Sequence, residues 1–127
     1  MKTGAKKNEG FARTLRMFKA LSDQMRLRII MILCEGERCV CEIRHILGVE
    51  QSAVSHALKH LKNAGVIISR RDGKWMHYAL SASDEVKYLR KLLPADPEIK
   101  NKVNRCIRDN IRSACKNGGP VKKEGVK

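Results

Sequence analysis

The sequence predicts a mainly α-helical domain that carries one β-hairpin. Three observations point there: apolar residues recurring at helical spacing between Phe11 and Leu61, a switch to β-favourable runs on either side of Asp72-Gly73, and helical periodicity again from Asp84. A chain of 127 residues makes one domain, with little room for a large enzyme cleft and its supporting shell. Its 43% hydrophobic content is enough for a modest core. Lys and Arg number 27 against 13 Asp and Glu, a formal net charge of +14 that attracts polyanions such as nucleic acid or an anionic membrane surface. Aromatics are only 4%, which disfavours binders that stack successive single-stranded bases. Duplex nucleic acid is the expected partner.

The elements follow in order. Residues 1–10 read as a flexible basic arm. Phe11, Leu15, Phe18 and Leu21 mark a first amphipathic helix, and Ser22 and Asp23 are good caps for a second, which carries Met25, Ile29, Ile32 and Leu33. Gly36 ends it. A short third helix is expected from about Cys39 to Leu47, with Val40, Ile43 and Leu47 on one face and Gly48 closing it. A fourth begins at Gln51-Ser52, presents Val54, Ala57, Leu58 and Leu61 to the core, and stops at Gly65. Two short helices around a tight Gly-containing turn match a helix-turn-helix. The runs 66–71 and 74–80 flank Asp72-Gly73, a strong hairpin signal because Gly readily takes positive φ. A helical pattern covers 84–93, Pro94 and Pro97 break it, and Ile99, Val103, Ile107 and Ile111 form a final amphipathic helix.

That order is a winged helix-turn-helix over residues 11–93, followed by a helical extension over 94–117 and a basic tail over 118–127, with a homodimer expected through the terminal helices. Gln51, Ser52, Ser55, His56 and Lys59 fall on the side of the fourth helix away from Val54, Leu58 and Leu61, where they can reach base edges and phosphates in a major groove. Arg70, Arg71 and Lys74 cluster at the wing tip, placed to neutralise phosphates.

Three stretches also carry a resemblance. Residues 20–29, Ala-Leu-Ser-Asp-Gln-Met-Arg-Leu-Arg-Ile, resemble the opening signature of the ArsR/SmtB family of metal-sensing repressors, with Gln24 where members often have Pro. Residues 51–61 are similar to that family's recognition helix, and 70–78 to its wing. The resemblance implies a dimeric repressor that leaves its operator when an inducer binds.

Glu37-Arg38-Cys39-Val40-Cys41-Glu42 is the chemically informative stretch. On a regular helix positions i and i+2 point about 200° apart, so with Val40 and Ile43 in the core at least one thiol should be accessible. One ion can take both sulfurs only if the helix start is irregular or distorts. Soft thiolates select Cd(II), Pb(II), As(III) or Zn(II). Cys-Val-Cys before an acidic residue resembles the family's metal-binding box, which in arsenite- and antimonite-responsive members supplies thiolates to As(III) or Sb(III). Such members have a third Cys where this chain has Arg44. A third thiolate could come from Cys34, Cys106 or Cys115, or an exogenous ligand could fill the place. A cysteine-based redox or reactive-sulfur switch on the same scaffold is the alternative.

Asp84-Glu85-Val86-Lys87-Tyr88-Leu89 lacks the His that the family's other metal site needs, and His45, His56, His60 and His77 show no spacing that gathers them. No oxyanion-hole motif or phosphate-cradling Gly loop accompanies the cysteines, so the chain is expected not to be an enzyme. The basic N-terminus leads into no apolar signal segment and the longest apolar run, 29–33, is too short to span a bilayer. A cytoplasmic protein without membrane partners is expected, its five cysteines in a reducing environment.

Overall fold

A computed structural model describes residues 5–114. Helix α1 (Ala5–Leu21) starts well before Phe11. Ala5-Lys6-Lys7-Asn8-Glu9 contains no Pro and mostly good helix formers, and an interior Gly10 costs only about 1 kcal/mol relative to Ala. The arm expected over 1–10 is therefore helical from Ala5. Residues 1–4 and the tail from 115 lie outside the described residues. Most of the apolar stripe that marks α1 faces outward: Phe11 is 72% and Phe18 63% exposed, and Leu15 is exposed too. Its inward side is made by Met17, Ala20 and Leu21.

Helix α2 (Gln24–Leu33) is capped as expected by Asp23, whose Oδ2 accepts from the Arg26 N–H at 3.0 Å. Ile29, Ile30 and Ile32 are fully buried. Strand β1 (Arg38–Cys39) follows, then α3 (Val40–Leu47) and α4 (Gln51–Asn63). Gly48 sits between those helices at φ +68, a left-handed cap that β-carbon sterics make unfavourable for other residues. Ile43 and Ile46 of α3 meet Val54, Ala57, Leu58 and Leu61 of α4 in the central core. The chain thus contains the anticipated helix-turn-helix.

Strands β2 (Ile67–Asp72) and β3 (Trp75–Leu80) form the wing. Asp72 pairs with Trp75, so the two-residue loop is Gly73-Lys74, one step later than the sequence suggested. Gly73 takes φ +66, as such a hairpin loop requires. The sheet has a third member that the sequence did not suggest: β1 lies against β3 in the order β1-β3-β2, with Arg38 opposite Tyr78 and Cys39 opposite His77. Two residues are too short for an alternation pattern to reveal. Side chains alternate across the sheet. Ile67, Tyr78 and Leu80 join the main core, whereas Cys39 and Trp75 belong to a separate cluster with Cys41.

Helix α5 (Asp84–Leu92) is capped by the Ser83 hydroxyl, and α6 (Pro97–Arg108) by Asp96 with Pro97 in its first turn. Instead of continuing to Ile111, the chain turns at Asn110 (φ +56) into the single turn α7 (Ile111–Ala114). Ile99, Val103 and Cys106, at i, i+4 and i+7, take the buried face of α6, and Ile107 is left 54% exposed. Both α6 and α7 pack against α3. Among the described residues, no helix is long and apolar enough to cross a membrane.

Candidate thiol site and nucleic-acid interface

Cys39 ends β1 and is the N-cap of α3, with extended backbone (φ −91, ψ 169) rather than helical. The expected helix start from about Cys39 therefore moves to Val40. That single displacement removes the premise that two thiols at i and i+2 must diverge. The Cys39 and Cys41 sulfurs lie 2.9 Å apart, both residues fully buried. The expectation of an accessible thiol is overturned, and the condition of an irregular helix start is met. Trp75 packs against the pair. Cys34, Cys39 and Cys106 are free thiols, whereas Cys41 is disulfide-bonded.

Glu42 organises this junction. Its Oε1 accepts from the Cys39 N–H at 2.9 Å, the reciprocal arm of a capping box. The same oxygen accepts from Arg112 of α7, at 3.2 Å from Nε and 2.9 Å from Nη2. Arg112 Nη2 also donates to the Glu37 carbonyl at 3.4 Å. The Glu42 side chain is only 4% exposed and that of Arg112 39%. Burial opposes the Arg112 charge more than any other influence, yet Glu42, Cys39 and Glu37 together hold its pKa above the usual value. Burial pushes the Cys39 thiol up, and the Glu42 backbone N–H pulls the other way.

On the upstream side, Glu37 forms a two-pronged pair with Arg70 of the wing, at 3.0 Å to Nε and 2.8 Å to Nη2. Those hydrogen bonds hold the Glu37 carboxyl below its usual range. His77, opposite both Cys39 and Arg70 in the sheet, is 3% exposed and its Nδ1 has no hydrogen-bond partner. Its Nε2 is 3.9 Å from the Asp72 carboxylate.

The remaining cysteines stand elsewhere. Cys34 caps the end of α2 and lines a cavity of about 230 Å³ with Arg90, Leu93 and Ile99. Its burial raises the thiol pKa, and its carbonyl accepts from Arg90 at 3.2 Å. Cys106 lines a cavity of about 280 Å³ between α3 and the α6–α7 turn, with Arg38, Glu42 and Arg112. Burial first, then Glu42, pushes its thiol up to about 12. Cys115 lies outside the described residues. Among the described residues, no three His, Cys, Asp or Glu side chains form a ready metal-holding group.

The second surface is polar and open. Ser52, Ser55, His56 and Lys59 are exposed on α4, and Gln51 is half-buried at its start. The His56 and His60 rings meet edge to face at 4.7 Å, so i,i+4 spacing does gather two of the histidines. Arg71 and Lys74 are exposed at the wing, while Arg70 is engaged by Glu37. Sequence reasoning missed Glu37, Trp75, His77 and Arg112 as members of the thiol junction. Glu42 had a local signal in its capping-box spacing from Cys39; Arg112, seventy residues from Glu42, had none.

Comparison with known proteins bears on both surfaces. Residues 23–69, from the α2 cap into the wing, match the family described as bacterial regulatory protein, arsR family. The chain is 42% identical over 65 residues to the arsenic resistance transcriptional regulator ArsR1 of Pseudomonas putida, covering 50% of this chain and 51% of that one. It is 41% identical over 75 residues to a homologue of the cadmium resistance regulatory protein CadC from Staphylococcus aureus, covering 58% and 61%. The chain thus spans about half to three fifths of these resistance regulators. An uncharacterised helix-turn-helix-type transcriptional regulator of Methanocaldococcus jannaschii is 38% identical over 86 residues, 67% of this chain and 96% of that one. Among solved structures, the homodimeric winged helix-turn-helix domain of a possible ArsR-family regulator from Mycobacterium bovis overlays with a TM-score of 0.64 at 26% identity, covering 87% and 93%. These relatives are named as regulators of transcription, not as enzymes. With the helix-turn-helix, the wing and nearly the whole length of a relative matched, the chain belongs to the arsR family of bacterial regulatory proteins.

Proposed function

We propose that this chain is a homodimeric, cytoplasmic repressor of transcription that binds duplex operator DNA and releases it when a thiophilic metalloid, As(III) or Sb(III), engages Cys39 and Cys41. The observation that carries the reading is the buried pair of sulfurs 2.9 Å apart at the cap of α3, the first helix of the reading motif. Once Cys41 is reduced to the thiol, two soft donors that close can share one ion with bonds of about 2.3 Å after a small opening. Gln51, Ser52, Ser55, His56 and Lys59 would face bases and phosphates, and Arg71 and Lys74, with Arg70 once its tether to Glu37 opens, would face the flanking backbone. The exposed Phe11 and Phe18 on α1 and Tyr88 and Leu92 on α5 supply an apolar surface for a second copy.

Transmission to DNA follows from how the thiol segment is tied. Cys39 is laddered to His77 of the wing, and Glu37 holds Arg70. Any change in the Cys39–Cys41 separation displaces β1, and with it the wing relative to α4. A coupling of a few kcal/mol then shifts the population towards a form with weaker DNA affinity, without unfolding.

The test is a fluorescence-anisotropy titration of operator DNA under reducing conditions with As(III), Sb(III), Cd(II), Pb(II), Zn(II) or no addition. Trp75, the only tryptophan, reports binding beside the thiols independently. Release by As(III) in the wild type and not in Cys39→Ser/Cys41→Ser is expected; release unaffected by that double substitution would sink the reading. A second reading, a redox or reactive-sulfur switch, is favoured by the short sulfur contact and the oxidised state of Cys41. It requires an oxidant for release and reversal by a reductant.

A further inference from the structure

Helix α6 carries Lys100, Lys102, Arg105 and Arg108 against Glu98 alone. Its buried residues Ile99, Val103 and Cys106 fix its rotation on α2 and α3. At about 100° per residue, Lys102, Arg105 and Arg108 then fall in one i, i+3, i+6 row, and Lys100 points about 200° away from Lys102 on the other flank. All four cations are exposed. Beyond this row the extension is held by the clamp that Arg112 makes on the Glu42 carboxylate and the Glu37 carbonyl, so the position of α6 against α3 is set along its length and at its far end.

That position brings the row beside the helix-turn-helix. Lys102 and Arg105 line a cavity of about 290 Å³ whose opposite wall is His45, Ile46, Leu47 and Gly48, the end of α3 and the turn that leads into α4. Gln51 opens α4 three residues after Gly48, at most about 11 Å of chain. The basic row therefore borders the end of α4 that presents Gln51 and Ser52. Lys102 has Glu98 at 3.3 Å, an exposed pair of the kind that contributes little and exchanges readily. The Arg105 guanidinium makes no hydrogen bond or ion pair among the described residues.

We propose that α6 is a second DNA-contacting helix, in which Lys102 and Arg105 bind backbone phosphates flanking the groove entered by α4. The inference rests on the duplex-DNA reading above and extends it to a surface outside the helix-turn-helix and wing. Charge and continuity identify the partner: the cations prolong, without a gap, the face already assigned to a polyanion. Asn101 and Asn104, exposed on the same helix, add donors that phosphates accept. No aromatic side chain on α6 could stack on an unpaired base, so the contact is to backbone. Phosphate contacts carry affinity without sequence information. The extension accordingly strengthens and lengthens the footprint and leaves the choice of bases to α4.

The test is a salt titration of duplex binding by the full chain, read by fluorescence anisotropy. The probes are a duplex that the chain selects from a random-sequence pool and a scrambled duplex of the same length. Arg105→Gln removes one phosphate contact from each protomer of the proposed dimer, so the slope of log K against log salt should fall in magnitude by about two, and adding Lys102→Gln should remove about two more. The double variant should bind both duplexes at least about 10-fold more weakly while keeping its preference for the selected one. Arg105→Lys should keep the wild-type slope, because the slope reads charge. Lys100→Gln, with the same loss of charge on the other flank, should leave it nearly unchanged. Phosphate-ethylation interference outside the groove read by α4 is expected in the wild type and should vanish in the double variant. An unchanged slope in the double variant, or equal falls for Arg105→Gln and Lys100→Gln, overturns the inference. A wild type with no affinity for either duplex, or a Gln51→Ala/Ser55→Ala protein with undiminished preference for the selected one, overturns the underlying reading of α4 instead.

Discussion

The two surfaces of this domain are built in opposite ways. The outward face of α4 is a regular helix with local order only: Val54, Ala57, Leu58 and Leu61 fix its rotation, and the opposite positions are left to solvent. The thiol junction has almost no local order. It is assembled from an N-cap, a two-residue strand, a wing strand and a C-terminal turn, joined by hydrogen bonds across 33 and 70 residues. A surface of the first kind, where DNA reading is proposed, can change residue by residue without disturbing the fold. A site of the second kind cannot be altered without pulling on the elements it joins, which is the property the proposed switch requires.

The strongest way to break the comparison is Arg112→Ala. It leaves the Glu42 carboxylate, only 4% exposed, without its cationic partner. Removing one member of a buried pair costs about 3–5 kcal/mol, and the lower end is expected because Arg112 itself is partly solvated. Urea denaturation should show a loss of about 3 kcal/mol. A loss below 0.5 kcal/mol would mean that the clamp contributes nothing to the fold. On the reading surface, Gln51→Ala or Ser55→Ala should leave stability within about 0.5 kcal/mol and weaken operator binding by about 1–3 kcal/mol. Operator titration beside a thermal melt checks both; a large fall in Tm would show that α4 is not the independent surface described.

The contrast also accounts for what was legible. Helix order, caps at Asp23 and Gly48, the hairpin and the core positions of α4 all follow from periods and turn residues within a few positions of each other. The errors concern contacts between distant parts. The α1 period marks an amphipathic helix, but an amphipathic face does not say which surface covers it: Phe11 and Phe18 lie outside this chain's core. The sequence reads Cys39 as the start of a helix because nothing in Arg38-Cys39 reveals a strand whose partner lies near residue 77. His77 and Arg112 are ordinary residues until the sheet and α7 bring them to the junction.

The wing sharpens the comparison, because its two neighbouring arginines belong to different regions. Arg71 is exposed, whereas Arg70 is held by Glu37. Each phosphate neutralised contributes about −0.9 to the slope of log K against log salt. Arg71→Ala, which removes one phosphate contact from each protomer of the proposed dimer, should reduce the magnitude of that slope by about two, and Arg70→Ala should reduce it by less, because Glu37 holds its guanidinium, while altering the response to inducer. Equal slopes for the two variants would place Arg70 on the DNA and release it from the thiol junction.

The smallest effect concerns Cys106, which borders the junction without being proposed as a ligand. Its thiol is raised from 9.0 to about 12, chiefly by burial. A raised folded-state pKa means that the neutral thiol is favoured in the folded protein, so its contribution is fully present below pH 9 and is lost as pH rises towards 12. Cys106→Val keeps an apolar group of similar size in the α6 face and has no proton to lose. Wild type should therefore lose stability relative to Cys106→Val as pH rises above 9, with the two differing by a constant amount below it. Parallel denaturation curves from pH 7 to 11 would show that the thiol reaches solvent, and that the α3–α6 side of the junction is as open as the face of α4.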